Sequence, residues 1–174
     1  MRKVILNLAV SLDGFIEGPN GEFDWCYADQ DYGMEDFMKR IDTIFFGRKS
    51  YEVMLKFEAL PYPDKMKYIF SNSFKTEAPL LKVLSGNVVE EVRILKQQPG
   101  KDIWLFGGAE LITTFVNNDL IDELQLSVHP LLLGKGKLLF SGINNRIQLS
   151  LTGVKPYDSG LVQMFYELGK QSGH

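Results

Sequence analysis

The chain has 174 residues, of which 45% are hydrophobic and 24% charged, and its net charge is −3 at pH 7. That size suits one domain over residues 1–174 with a core of its own, and a mildly acidic chain without a Lys/Arg block excludes general nucleic-acid binding. One cysteine, Cys26, excludes an internal disulfide, and with only two histidines, one of them the last residue His174, no Cys/His metal site is expected.

Lys3 to Val10 is rich in Val, Ile and Leu and reads as a central strand buried on both faces. Met1-Arg2-Lys3 ahead of it is not followed by a small-residue cleavage site. No apolar run is long enough to span a membrane, so the expected compartment is the cytoplasm. Ser11 to Gly21 holds three glycines and Pro19 and reads as a long loop. Trp25 and Tyr27 close it. Trp25 either walls a ligand pocket or anchors the loop on the core.

Asp31 to Ile41 has the i, i+3, i+4, i+7 spacing of a helix in Met34, Phe37, Met38 and Ile41. Asp29 or Asp31 caps it, or one of these carboxylates faces a cleft and delivers a proton. Asp42 to Phe46 is a second buried strand. It runs into Gly47-Arg48-Lys49-Ser50 and a helix from Tyr51 to about Phe57. Cations at a helix start oppose the helix dipole, and an anionic ligand would offset them.

Residues 58–65 read as loop, and Met66 to Phe70 as a third strand ending in Ser71-Asn72-Ser73. These small polar side chains fit either a ribose phosphate or an ordinary turn. A short strand falls within Thr76–Ser85. Asn87 caps a helix to about Gln97, with Glu90 three residues on and Val88, Val92 and Leu95 on its buried face.

Ile103 to Phe106 is a buried strand that meets Gly107-Gly108 and then a helix with Leu111, Ile112, Phe115 and Val116 on one face, ending at Asn117-Asn118. A strand turning through two glycines into a helix exposes backbone amides at a helix N-terminus. That geometry suits a phosphate, or is simply a tight turn. From Ile121 the pattern is strands only. They are Ile121–Val128, broken by His129-Pro130; Ile147–Val154, with Ile147, Leu149 and Leu151 inward; and Leu161–Leu168 after a hairpin over Pro156–Gly160. His129 reads as a packed strand-end residue rather than a general base. Alternating strands and helices followed by strands alone predict a mostly parallel central sheet with an antiparallel C-terminal edge.

Several motifs agree in order along the chain. They are Ser11-Leu12-Asp13-Gly14, Phe23-Asp24-Trp25, Gly47-Arg48-Lys49-Ser50-Tyr51-Glu52, Leu105-Phe106-Gly107-Gly108 and His129-Pro130-Leu131-Leu132-Leu133-Gly134-Lys135-Gly136. With them the chain resembles the dihydrofolate-reductase-like superfamily, and within it stand-alone bacterial relatives of the riboflavin-biosynthesis reductase domain (RibD C-terminal-like). The resemblance implies a three-layer α/β fold with about eight strands and helices on both faces, NADPH as hydride donor, and a homodimer.

By resemblance, Gly107 and Gly108 lie against the pyrophosphate, joined by a cis peptide, and Arg48, Lys49 and Ser50 meet the phosphates. Ser71, Asn72 and Ser73 meet the adenosine 2′-phosphate, and Ala9 and Ile16 line the nicotinamide pocket. Gly47, Phe106, Ala109, Glu110 and Leu111 complete the cofactor set. On the substrate side the resemblance points to Asn7, Trp25 and Asp31, with Asp31 the nearest match to a catalytic acid. Riboflavin-pathway reductases carry a Lys where this chain has Asn7, and they have an Asp-Asp-Pro element that is absent here. No deaminase zinc signature is present. The expected activity is NADPH-dependent reduction of a small planar heterocycle or carbonyl compound, pterin- or pyrimidine-like; the alternative is a non-catalytic binding homodimer on the same fold.

Overall fold

A computed structural model describes residues 1–56, 62–76 and 78–169. Its elements are β1 (Val4–Ser11), β2 (Phe15–Glu17), α1 (Met34–Arg40), β3 (Ile41–Gly47), α2 (Arg48–Met54), β4 (Met66–Phe70), β5 (Leu81–Leu84), α3 (Val88–Gln97), β6 (Asp102–Gly107), α4 (Ala109–Asn117), β7 (Glu123–His129), β8 (Lys137–Leu138), β9 (Leu149–Pro156) and β10 (Val162–Leu168). Eight strands form one sheet in the order β5-β4-β3-β6-β1-β7-β10-β9. The first six run parallel; β10 is antiparallel to β7 and β9 antiparallel to β10. Among the described residues no helix is long and apolar enough to cross a membrane.

The sheet is covered on both faces because successive residues of its inner strands are apolar. In β3, Phe45 joins the cluster under α3 and α4 with Val92, Leu95, Ile112 and Phe115. Its neighbours Ile44 and Phe46 join the cluster under α1 and α2 with Phe37, Tyr51 and Trp104. In β1, Val4, Ile5 and Leu6 are fully buried, as expected of a central strand. Each such side chain contributes about 1.5–3 kcal/mol relative to an exposed one.

Several local expectations shift. The first helix begins at Met34, not Asp31, because Tyr32 (φ 50°) and Gly33 (φ 78°) adopt left-handed backbone. Ile41 opens β3 directly, without a loop. The second helix begins at Arg48, three residues before Tyr51. Asn87 caps α3 as expected, accepting from Glu90 N–H at 3.3 Å. Leu151, expected inward, is 58% exposed: it pairs with Tyr166, but β9 is an edge strand of the sheet. The expected loop at 58–65 and the expected end of α2 at Phe57 fall partly outside the described residues.

The loop after β1 is not free. Phe15 and Glu17 pair with Leu138 and Lys137 in a two-stranded ribbon. Asp13 accepts from Ser11 Oγ at 2.6 Å, Leu133 N–H at 3.1 Å and Gly134 N–H at 2.7 Å. The Ser11 hydroxyl first, then the two backbone N–H groups, hold its carboxyl below the usual range. The Ser-Leu-Asp-Gly and Leu-Leu-Gly-Lys-Gly motifs therefore meet in space. A Cβ on Gly136 would stand 2.1 Å from Glu17 O, so only glycine fits this crossing.

Candidate functional site

Parallel β3 and β6 are neighbours, with Phe46 paired to Gly107, so both glycine corners fall at one edge of the sheet. Gly47 turns β3 into α2; Gly107 and Gly108, joined by a cis peptide, turn β6 into α4. The corners touch. A Cβ on Gly47 would lie 3.1 Å from Gly108 N, and a Cβ on Gly108 3.0 Å from Ser50 Oγ. Among the described residues no side chain caps either helix. The first N–H groups of α4, on Ala109, Glu110 and Leu111, thus have neither an intrahelical acceptor nor a side-chain cap, and the helix dipole favours an anion beside them.

A cleft of about 1080 Å³ runs along this edge. Ligand sites span about 300–1,000 Å³, so there is room for a dinucleotide with a small molecule beside it. Gly47 through Ser50 and Phe106 through Leu111 line it, together with Ser71, Asn72, Ala9 and Ile16. Ser73 does not; its hydroxyl accepts from Arg48 Nη1 at 3.0 Å, and Arg48 Nε lies 3.3 Å from Glu52. Lys49 makes no ion pair among the described residues. The bare helix N-terminus, the close-set glycines and the two cations fit a diphosphate-bearing group.

The other end of the cleft is walled by Tyr27, Asp31, Tyr32, Met34 and Trp104 and floored by Asn7, Ser127 and Gln163. Asp31 Oδ1 accepts from Glu35 N–H at 2.9 Å, so this carboxylate caps the start of α1 while it borders the cleft. Trp25 does not line the cleft. Its ring meets His129 edge to face at 5.3 Å, and its Nε1 is buried with no hydrogen-bond partner among the described residues. Trp25 is an anchor beneath the loop. Cys26 does line the cleft; burial, then Asp24, pushes its thiol up to about 11, so it stays protonated at neutral pH.

His129 is 2% exposed and fully engaged. Nε2 accepts from Tyr27 N–H at 3.0 Å, and Nδ1 sits 2.9 Å from Ser127 O, a pairing that requires the neutral Nδ1–H tautomer. Burial lowers its pKa below the ordinary value. It is a clamp on the loop, as its place at a strand end implied.

Sequence reasoning missed Tyr32, Trp104, Ser127 and Gln163. A signal was present: β7 alternates Glu123, Gln125, Ser127 and His129 with Leu124, Leu126 and Val128, and Gln163 is the second residue of β10, polar positions in a sheet whose central strands are buried on both faces.

The sequence profile of the RibD C-terminal domain matches residues 2–163. The chain belongs to the RibD C-terminal domain family. This RibD C-terminal domain protein is 46% identical to the uncharacterised protein YyaP of Bacillus subtilis (strain 168) over 179 residues, which cover 95% of this chain and 94% of YyaP. Among solved structures it is similar to one named for riboflavin biosynthesis from Shewanella sp. PV-4, at 27% identity and a TM-score of 0.83, covering 97% and 99% of the two chains. It shares its fold with the dihydrofolate reductase of Enterococcus faecalis complexed with NADP(H), at 17% identity and a TM-score of 0.72, covering 97% of each chain. The architecture is the dihydrofolate-reductase-like fold.

Proposed function

We propose that this protein is an NADPH-dependent reductase acting on a small planar heterocycle or carbonyl compound. One observation carries the reading: a single cleft joins the paired glycine corners of β3 and β6 to a floor of Asn7 and Ala9 on the neighbouring strand β1. In this reading Gly47, Gly107, Gly108 and the start of α4 hold the pyrophosphate. Arg48, Lys49, Ser50, Ser71 and Asn72 hold the one remaining phosphate, the adenosine 2′-phosphate, and its ribose, and Arg48 brings Ser73 with it. Ala9 and Ile16 flank the nicotinamide. The bound cofactor supplies the hydride. The chain orients the acceptor over Asn7 and excludes water with Tyr27 and Tyr32, and Asp31 or a water beside it returns a proton.

Binding is tested by thermal shift and by quenching of Trp104 fluorescence. The melting temperature should rise with NADPH and rise less with NADH, because the 2′-phosphate that NADH lacks meets cations. No shift at millimolar NADPH would overturn the reading.

The capping bond from Glu35 N–H to Asp31 favours a second reading, a non-catalytic binding protein, since it gives that carboxylate a structural task. Absorbance at 340 nm, followed with pterins, pyrimidines and quinones, separates the two. We further propose a homodimer and a cytoplasmic location. Leu151 and Val154, 58% and 53% exposed on edge strand β9, are the apolar surface a second copy would cover, and sedimentation as a monomer would remove the dimer.

A further inference from the structure

The substrate end of the cleft contains a hydrogen-bond chain whose direction is fixed by its partners. Gln163 Nε2 lies 2.7 Å from Tyr32 O, a carbonyl that can only accept, so this atom is the amide nitrogen. Its second proton goes to Ser127 Oγ at 3.2 Å, and Gln163 Oε1 accepts from the Tyr157 hydroxyl at 2.8 Å. The Gln163 amide therefore has no proton left for a ligand. Ser127, having accepted, still holds its own hydroxyl proton, and accepting a bond strengthens a hydroxyl as a donor. Ser127 lines the cleft beside Ala9, its partner in the β1–β7 register. Asn7, two residues along β1, also lines it, and its side-chain amide makes no hydrogen bond among the described residues.

The positive charges lie elsewhere. The cations lining the cleft are Arg48, Lys49 and Lys56, in or just after α2, and Lys137, which lies 3.5 Å from Glu17. The strand that leads into α2, β3, is two places from β1, three from β7 and four from β10. At a strand spacing of about 4.8 Å, that puts it roughly 10–19 Å from the floor. Asp31 is the charged group beside Tyr32 at the substrate end, and its sign repels anions.

We propose that Ser127, oriented by Gln163 and Tyr157, works with Asn7 to read the hydrogen-bonding edge of an uncharged, lactam-type planar ring, and that the substrate carries no phosphate. This rests on the reductase reading of the cleft and names the class of its substrate. Ser127 donates to a ring carbonyl or ring nitrogen, and the Asn7 amide offers both a donor and an acceptor to the adjoining edge. Gln163 and Tyr157 are positioning residues.

The test is calorimetric titration of the full chain, free and preloaded with NADP+, using 6-hydroxymethylpterin and its phosphate monoester as probes. The neutral ring should bind and the ester should bind no more tightly. Ser127→Ala should weaken the neutral ring about tenfold, the loss of one well-placed donor. NADP+ affinity and melting temperature should not change, and Ser127→Thr, which keeps the hydroxyl, should restore binding. Gln163→Leu, which frees the hydroxyl to rotate, should reproduce part of the loss. Tighter binding of the ester, with the gain removed by Lys56→Ala, would overturn the proposal. So would an unaffected Ser127→Ala, or failure of both rings to bind either form. Failure of NADP+ alone, with ring binding intact, would sink the reductase reading and leave ring recognition standing.

Discussion

Tyr27 N–H donates to His129 Nε2 at 3.0 Å, and this one bond fastens the loop before α1 to the end of β7. The imidazole is held from the other side by Ser127 O, and the rings of Trp25 and Tyr27 meet it edge-on at 5.3 and 4.9 Å. A proton added at Nε2 would face the Tyr27 N–H donor. Burial lowers the folded pKa below the ordinary 6.5, so between the two values the unfolded chain binds the proton more readily. Stability is then complete above pH 6.5 and falls as pH drops through it, with a slope below about 1.4 kcal/mol per pH unit for one proton. Urea unfolding between pH 5 and 8 should show this decline, and His129→Gln should flatten it. An equal slope in both proteins would rule the clamp out as its source.

At the opposite edge of the sheet, Glu123 accepts from Arg40 Nη1 and Nη2 at 2.8 and 2.9 Å and from Lys3 Nζ at 2.7 Å. Arg40 also donates to Asp102 at 2.7 Å, tying the end of α1 to β6 and β7. Burial alone would push the Glu123 carboxyl up, but the bonds from Arg40 and Lys3 outweigh it and hold its pKa below 4.5. The contribution is present above 4.5 and lost as pH falls through the lowered folded value. Glu123→Gln should cost about 1.5–3 kcal/mol at pH 7, the range for hydrogen bonds to charged groups. The gap to the unaltered protein should close in strong acid, as read by parallel denaturant curves. A gap of constant size at all pH values would show that charge is irrelevant there.

The two glycine corners predict a separation of binding from folding. An alanine Cβ at Gly47 would press on Gly108 N at 3.1 Å and Gly107 O at 3.4 Å, both backbone atoms that cannot rotate away. Parting the corners by a few tenths of an ångström moves the N–H groups expected to meet the pyrophosphate. Gly47→Ala should therefore weaken NADPH binding about tenfold or more, as displacement of a preorganised donor set does, while the chain still melts cooperatively. Unchanged NADPH affinity in a folded Gly47→Ala protein would contradict this.

The parts legible in the sequence are those set by local periodicity. Val4 to Leu6 could be recognised as doubly buried because no polar residue interrupts them, and Met66–Phe70 as a strand because its run, apolar apart from Lys67, is bounded on both sides. The Gly107-Gly108 corner was legible because strand, glycines and helix are contiguous. The start of α1 was not, because Tyr32 and Gly33 leave helical backbone without a proline to announce it. Leu151 alternates correctly, yet its exposure depends on which strand ends the sheet, a property of the whole topology. The substrate floor was hidden for the same reason. Ser127 and Gln163 are 36 residues apart and become neighbours only through the antiparallel pairing of β10 with β7.

Asp31 was assigned two tasks, and one substitution separates them. Its Oδ1 accepts from Glu35 N–H at 2.9 Å while its carboxylate borders the cleft. Asparagine caps a helix about as well as aspartate, so Asp31→Asn should change stability by no more than about 0.5 kcal/mol. It cannot give up a proton at neutral pH. If Asp31 delivers the proton that follows hydride transfer, turnover should fall about 100-fold or more in the variant, with NADPH affinity unchanged. Asp31→Ala should lose both, with an added cost of about 1 kcal/mol for the missing cap. Single-turnover oxidation of bound NADPH, compared with the melting temperature of each variant, reads the two tasks independently. Full activity in Asp31→Asn would leave Asp31 a cap alone and move the proton source to solvent or to a neighbouring hydroxyl such as Tyr27.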